Sequence, residues 1–490
     1  MLPHQLIIIK LMLLTEVSQY IKCNKIYNLK KTKINFENIF SNSRNITKSS
    51  IYIINNKKKL NIRYLEEAIK KGAIAIISSK YIKNISLTQY IVSNINLSLS
   101  ILLKKLNPIK PKNSIAITGT NGKTSVLWYI SQICLYNKIP TKSYGTLGYH
   151  INCKKKNNSN LTTPEFEVLH QKAFLKRKNI SNFIFEASSH GLEQNRLNNF
   201  PVDIAAITNI TQDHLDYHKN IKNYKKAKFK LFTRYLVNNG YAILNEKIIG
   251  INNLKKKLLK TKKIVTYGLK NSDINIVDCN KKIKVKIFKK NYYINLKELS
   301  SIELENITCA IACCISLKIK ANEILKNLKN ITNPLGRLEN INNDFNQINF
   351  KVFVDYAHTP DALRQVLINQ TKNNKKPNVV FGCGGNRDKN KRSIMGLIAS
   401  KYADKVYVTD DNPRNENPSK IRKEILLNCK KGIEIPDRQK AISKAIEDLK
   451  KNDVLIIAGK GHEKNQVYKN SIKLFDDIAI AKNELKKLLR

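Results

Sequence analysis

The sequence predicts an α/β protein of three domains: a central, mostly parallel sheet domain with a phosphate loop, flanked by a small N-terminal α/β domain and a C-terminal Rossmann-like α/β domain. Three observations carry this expectation. Short apolar runs alternate with helical stretches along the chain, the pattern of sheets covered by helices. The apolar run Ser114 to Ile117 leads straight into Thr118-Gly119-Thr120-Asn121-Gly122-Lys123-Thr124-Ser125 and then into the apolar stretch Val126 to Ile130. A length of 490 residues exceeds what one hydrophobic core supports and suggests about three domains of ordinary size.

Over residues 1–112, Ile51 to Ile54, Ala73 to Ser78 and Tyr90 to Val92 read as strands, and Leu65 to Lys71 and Leu97 to Leu106 as helices. The proline-punctuated segment Asn107 to Lys112 reads as a linker. Over residues 113–333, strands expected at Phe183 to Glu186, Ile204 to Thr208 and Tyr241 to Asn245 alternate with helical stretches, and Asn333-Pro334-Leu335-Gly336 makes a second break. Over residues 334–490, Val352 to Tyr356, Asn378 to Phe381, Lys405 to Thr409 and Asp453 to Ala458 have the apolar character of buried strands. The Lys- and Asn-rich stretches 252–263 and 280–292 read as solvated surface.

Lys and Arg total 88 against 37 Asp and Glu, a formal charge of +51. Such a charge ordinarily points to nucleic acid or an anionic membrane. Here the excess is almost all lysine, scattered among abundant Asn and Ile, and these three share A/T-rich codons. No element gathers arginines and aromatics as base readout and stacking require, so no nucleic-acid partner and no membrane insertion are expected. The nine cysteines show neither a CxxC pair nor zinc-ligand spacing and read as reduced thiols of a soluble cytoplasmic protein, with Cys309, Cys313 and Cys314 in a helical core pattern. The apolar runs Leu6 to Ile9 and Leu11 to Leu14 lack the basic start and cleavage site of an export signal; a first helix is expected near Met12.

The chemistry concentrates at strand ends, where open α/β sheets bind ligands. In the glycine loop, Gly119 and Gly122 let backbone N–H groups face phosphate oxygens, Lys123 adds a point charge, and Thr124 offers a hydroxyl to Mg²⁺. Ile117 stands where the strict eight-residue pattern has glycine, so the match to the generic loop is partial. Glu186-Ala187-Ser188-Ser189-His190, followed by Gln194 and Arg196, ends a second strand. Thr208 to His218 ends a third and, with Glu186, could hold a hard cation. Thr162-Thr163-Pro164-Glu165 reads as a helix start. In the last third, strands end in Asp355-Tyr356-Ala357-His358, in Gly382 to Asp388, in Asp411-Asn412-Pro413-Arg414 and in Gly459 to Glu463. Arg387 and Arg414 suit a carboxylate and Glu463 an ammonium, which together describe an amino-acid pocket.

These segments, together with Tyr224 to Phe232 and Gly336 to Glu339, stand in the order found in the Mur ligases of peptidoglycan synthesis, which the chain resembles over residues 42 to 463. The resemblance implies an ATP-dependent amide ligase, with Mg²⁺ as cofactor and ATP as co-substrate, that works through an acyl phosphate on small molecules as a monomer. It implies that Gly119, Thr120, Asn121, Gly122, Lys123, Thr124, Ser125, Asn306 and Arg337 hold ATP, with Asp355, Tyr356 and His358 near the adenine and the hinge. Ser43, Thr162, Thr163, Ser188, Gln194 and Arg196 would bind the UDP-muramoyl dipeptide. Arg387, Asp411, Asn412, Pro413, Arg414, Gly459 and Glu463 would bind meso-diaminopimelate. The implied catalytic set is Lys123, Lys228, Glu186 and His214; the implied metal ligands are Thr124, Glu186, His214 and Lys228, the last as a carbamate (N6-carboxylysine). Carbamylation turns a cation into an anionic oxygen ligand where an ammonium would repel the metal. A lysine-adding or folate-polyglutamylating ligase of the same architecture is the nearest alternative. Arg414 separates them, because it can grip a second carboxylate that lysine lacks. A basic nucleic-acid-dependent NTPase would leave the Glu186 and Asn412 clusters without a role.

Overall fold

The computed structural model describes residues 12–29, 33–54, 61–158, 161–175, 181–279, 282–295, 299–345, 347–371 and 374–489. Three sheets organise these residues. The first has five strands in the order Lys25–Tyr27, Thr88–Ile91, Ala73–Ser78, Ser50–Ile53 and Asn38–Phe40. All its pairs are parallel except that of Lys25–Tyr27 with Thr88–Ile91. The helix Ile62–Lys70 buries Leu65 and Ala68 and starts at Asn61, whose side chain accepts from the Arg63 N–H at 3.1 Å. Such a cap satisfies a donor that the helix itself leaves unpaired.

The central sheet has eleven strands. From Thr141–Gly145 through Asn182–Glu186, Ser114–Thr118, Val202–Ile207, Leu236–Asn245 and Lys263–Tyr267 to Ile274–Cys279 the pairing is parallel, and a hairpin closes each edge. The inner strands are apolar on both faces, as Ile115, Ala116 and Ile117 show, because helices cover both sides. Helices Lys123–Tyr136 and Ser301–Ser316 share one core, and there Cys134, Cys309, Cys313 and Cys314 are buried as apolar side chains. The third sheet runs Glu339–Asn340, Lys351–Asp355, Val454–Ala458, Asn378–Phe381, Val406–Val408 and Gly432–Glu434, with only the first pair antiparallel. Parallel strands bring their C-terminal ends to one edge, so every polar cluster singled out in the last third lies on the same rim.

One expectation is corrected. Met12–Leu13 is a strand paired with Asn35–Phe36, and the first α-helical turn is Val17–Tyr20; a strand partner overrides the local apolar spacing, and residues 1–11 lie outside the described residues. The Lys- and Asn-rich stretches do present their described lysines to solvent, exposed or half-buried, and they do so mostly from regular elements. Ile251–Leu258 is a helix that buries Leu254 and Leu258, and Lys282–Ile287 with Lys290–Ile294 is a hairpin that buries Ile283, Val285 and Ile287 on one face. Among the described residues, no helix is long and apolar enough to cross a membrane.

Candidate functional site

A cavity of about 310 Å³ lies between the C-terminal rims of the central and third sheets. Its floor is the loop from the strand Ser114–Thr118 to the helix Lys123–Tyr136. Two positions there admit only glycine. Gly119 has φ +150°, and a Cβ on it would stand 1.8 Å from Thr208 Oγ1; Gly122 has φ +82°, and its Cβ would stand 2.3 Å from Asn306 Oδ1. The loop is sewn to the next strand end: Thr120 N–H donates to Asn209 O at 3.0 Å, Asn121 N–H to Asn209 Oδ1 at 2.9 Å, and Thr208 Oγ1 to Asn121 O at 2.5 Å. Lys123 folds back, its Nζ donating to Gly119 O and Thr120 O, each at 2.8 Å. Burial lowers its pKa, opposed by the negative Glu186 and Asp213.

Glu186 is the polar hub of the cavity wall. Its carboxylate accepts from Thr124 Oγ1 at 3.0 Å, Thr146 N at 2.9 Å and Thr146 Oγ1 at 3.2 Å, while its carbonyl accepts from Thr163 Oγ1 at 2.7 Å. Lys228, 1% exposed, donates from Nζ to Gly119 O at 2.7 Å and lies 4.4 Å from the Tyr224 ring centroid. Burial, then repulsion by Lys123, pushes Lys228 well below the ordinary lysine value. His214 takes a left-handed backbone, φ +53°, and its Nε2 lies 3.3 Å from Asp213 Oδ2. Burial pushes it down to about 3 against the attraction of Asp213.

The opposite wall belongs to the third sheet. Arg337, just after the break at Asn333 to Gly336, lies 4.2 Å from the Tyr356 ring centroid and donates from Nη2 to Thr124 Oγ1 at 3.4 Å, so the two sheets meet at the phosphate loop. Asn412 Nδ2 donates to Glu463 Oε2 at 2.8 Å. Lys460, fully buried, donates to Asn412 Oδ1 at 3.1 Å and Asn465 O at 2.7 Å. Arg414 Nη1 donates to Gly385 O at 2.8 Å, and burial, then repulsion by Arg387, lowers its pKa. His358 is pushed to about 4 by burial and by Lys391, whose Nζ donates to the His358 carbonyl at 2.9 Å.

Gly119 to Ser125, Thr162, Glu186, Ser188, His214, Lys228, Arg337, Arg387, Asp411, Asn412, Arg414, Gly459 and Glu463 therefore converge on one cavity. Thr163 is fully buried behind it. Asn306 stands behind Gly122. Pro413 packs its carbonyl against Gly385. Arg196 is clamped to Gln194 Oε1 through Nη2 at 2.6 Å and to Thr163 O through Nη1 at 2.8 Å. Ser43 lies apart, its hydroxyl donated to Glu67 Oε2 at 2.7 Å. Its loop nevertheless docks beside the Thr162 segment, since Ser41 N–H donates to Glu167 Oε1 at 2.7 Å. Sequence reasoning missed Thr146, Asp213, Tyr224, Lys391 and Lys460. Asp213, Tyr224, Lys391 and Lys460 stand inside motif runs and were within reach; Thr146 sits in a hairpin turn with no signal beyond its flanking glycines.

Residues 117–314 match the Mur ligase middle domain and residues 336–461 the Mur ligase, glutamate ligase domain. The UDP-N-acetylmuramoyl-L-alanyl-D-glutamate--2,6-diaminopimelate ligase of Rickettsia rickettsii is 37% identical over 482 residues, covering 94% of this chain and 98% of that protein. The protein of the same name from Rickettsia montanensis is 39% identical over 442 residues, covering 86% and 90%. A solved structure of a UDP-N-acetylmuramoyl-L-alanyl-D-glutamate--2,6-diaminopimelate ligase superposes with a TM-score of 0.63 at 26% identity, over 98% of this chain and all of that one. The MurF ligase of Thermotoga maritima, solved in complex with ADP, shares the fold at a TM-score of 0.66 and 17% identity, over 92% of this chain and 98% of its own. A phosphate loop facing an Asn-Arg-Glu cluster across one cavity is thus set in a chain alike over nearly its full length to these enzymes, and the chain belongs to the Mur ligase family.

Proposed function

We propose that this protein is an ATP-dependent amide ligase that joins meso-diaminopimelate to UDP-N-acetylmuramoyl-L-alanyl-D-glutamate in the cytoplasm, releasing ADP and phosphate, as a step in peptidoglycan precursor synthesis. One observation carries the reading: a single cavity holds a phosphate loop at one end and Asn412, Arg414 and Glu463 at the other. The γ-phosphoryl group passes to an oxygen of the D-glutamyl carboxylate. The amine of the incoming amino acid then attacks the acyl carbon, its C–N bond forms, phosphate leaves with the electrons of the C–O bond, and the amine proton goes to solvent. The loop N–H groups and Lys123 steady the triphosphate charge. For that, Lys123 must leave the carbonyls of Gly119 and Thr120 and turn to phosphate. Asn306 and Arg337 border the adenosine end. Ser43, Thr162, Ser188, Gln194 and Arg196 hold the UDP-muramoyl dipeptide, with Thr163 bracing Glu186 from behind.

The donor set fits magnesium. Thr124 and Glu186 already stand 3.0 Å apart as hard oxygens, and Mg²⁺ characteristically takes few protein ligands beside phosphate oxygens. Thr124, Glu186 and Lys228 as its carbamate would hold the ion, with His214 kept uncharged beside them; when bound it would neutralise charge developing on the phosphoryl oxygens. Lys228 suits carbamylation because burial favours its free amine, the form whose lone pair adds to CO₂ with loss of a proton. Incubation with ATP, the dipeptide and meso-diaminopimelate should yield a product heavier than the dipeptide by one diaminopimelyl residue in mass spectrometry. Failure to form it overturns the reading.

A further inference from the structure

Glu167 stands in the first turn of the helix Phe166–Ala173, shortly after Thr162. It is buried, 2% exposed, yet the reaction proposed above gives it no part. A buried carboxylate is costly unless its oxygens are hydrogen-bonded. Here Oε1 accepts twice from one residue of the N-terminal domain: from Ser41 N–H at 2.7 Å and from Ser41 Oγ at 2.5 Å. One turn further along the same helix face, Gln171 Nε2 donates to Ile39 O at 2.9 Å. The helix thus grips the chain at two points as it runs out of the strand Asn38–Phe40.

The gripped segment leads straight into Ser43. Asn42 caps the single turn Ser43–Asn45, its Oδ1 accepting from Arg44 N–H at 3.1 Å, and its Nδ2 lies 3.5 Å from Glu165 Oε1. Docking of the rest of the N-terminal domain has other supports. Asn198 Nδ2 donates to Ser100 Oγ at 2.9 Å, and Ile109 and Leu175 exchange backbone hydrogen bonds at 3.0 and 3.1 Å. A common apolar core also joins Leu99 and Leu103 to Leu169 and Phe174. The Glu167 carboxylate therefore bears on the orientation of one loop rather than on whether the two domains meet.

We propose that Glu167 is a positioning residue for the nucleotide substrate: through Ser41 it holds the Ser43 loop in place relative to Thr162, and so sets the span between the uridine end and the reacting D-glutamyl carboxylate. The inference rests on the function proposed above, in which Ser43 and Thr162 bind one ligand, Ser43 at its uridine end. Such a ligand binds well only if the two grips are already spaced to fit. A loose loop has to be ordered at the moment of binding, and that cost falls on affinity rather than on the chemical step.

The test is coupled phosphate release with ATP and meso-diaminopimelate saturating and UDP-N-acetylmuramoyl-L-alanyl-D-glutamate varied. Glu167→Ala should raise the KM for the nucleotide substrate about tenfold, while kcat and the KM for ATP keep the parent values. Glu167→Gln, whose amide oxygen still accepts from Ser41 N–H, should fall between. In a Ser43→Ala background the replacement at Glu167 should add little, because its effect passes through that loop. Ser41→Ala drops only the hydroxyl contact, at a half-buried position, and should raise the same KM about threefold; it decides the matter should Glu167→Ala fail to fold. The inference is overturned if the replacements at Glu167 and Ser41 keep the parent KM, or if the Glu167 and Ser43 effects are fully additive. Ser43→Ala with the parent KM, or a parent protein that ligates no dipeptide, brings down the functional reading and the inference with it.

Discussion

Replacing Arg414 with Ala removes the guanidinium that separates a diamino dicarboxylic acid from lysine. In the structure this side chain lines the cavity and donates to Gly385 O at 2.8 Å, so its planar head is already oriented. Loss of a charge-assisted bidentate contact costs about 1.5 to 3 kcal/mol, or roughly tenfold to a hundredfold in relative kcat/KM. Part of any loss belongs to the tie between Arg414 and the Gly385 turn rather than to substrate. That part burdens every amino acid alike, so the ratio of kcat/KM for meso-diaminopimelate to that for L-lysine isolates the carboxylate contact. Arg414→Lys, which keeps charge but not the fork, should lie between the parent and the alanine variant. The assay is coupled phosphate release at saturating ATP and dipeptide. An equal fall for both amino acids would refute the assignment of Arg414 to the second carboxylate.

Three further outcomes are expected. Lys228→Ala should be severely impaired and partly rescued by a short carboxylic acid in the buffer, since the added anion can stand where the carbamate would; an active variant indifferent to such acids contradicts the modified-lysine role. Gly122→Ala, with φ +82° and a Cβ meeting Asn306 Oδ1 at 2.3 Å, should weaken ATP binding and cost on the order of 1 to 3 kcal/mol of stability, read by calorimetric ATP titration and urea unfolding; parent-like values in both would show the loop to be more tolerant than its geometry. Stability should fall as pH drops from about 6.5 toward about 4. His170, His214 and His462 are pushed to about 3 by burial and His358 to about 4. Between those values and the ordinary histidine range the unfolded chain binds protons that the folded chain refuses, so unfolding gains with each step toward acid. A urea midpoint that stays flat over that window contradicts the buried, neutral histidines.

Much of the site was legible because glycine, lysine and carboxylate clusters interrupt apolar strands, and strand ends are where such residues meet ligands. Gly119 and Gly122 could be read as phosphate-facing, although what forbids a side chain there, Thr208 and Asn306, lies far along the chain. Thr146 was not legible in the sequence. Its contact with Glu186 depends on the strand Thr141–Gly145 pairing beside Asn182–Glu186, and no local pattern announces that register. The edge hairpin Lys282–Ile294 was hidden differently: Ile283, Val285 and Ile287 alternate with lysines, a period-two signal masked by a lysine-rich composition. Lys460 and Arg392 are fully buried cations, and only the carboxylates and carbonyls around them, such as Glu416 and Glu424 within 3.0 Å of Arg392, make that burial tolerable. Those partners come from other elements of the fold.

The central claim is that this Mur ligase activates the dipeptide carboxylate with ATP and selects a diamino dicarboxylic acid to receive it. It is tested most directly by ATP-dependent phosphate release with UDP-N-acetylmuramoyl-L-alanyl-D-glutamate, run in parallel with meso-diaminopimelate and with L-lysine. The account expects release that depends on both the dipeptide and meso-diaminopimelate, with lysine a poor substitute. Release that favours lysine, or that proceeds alike without either amino acid, would contradict it.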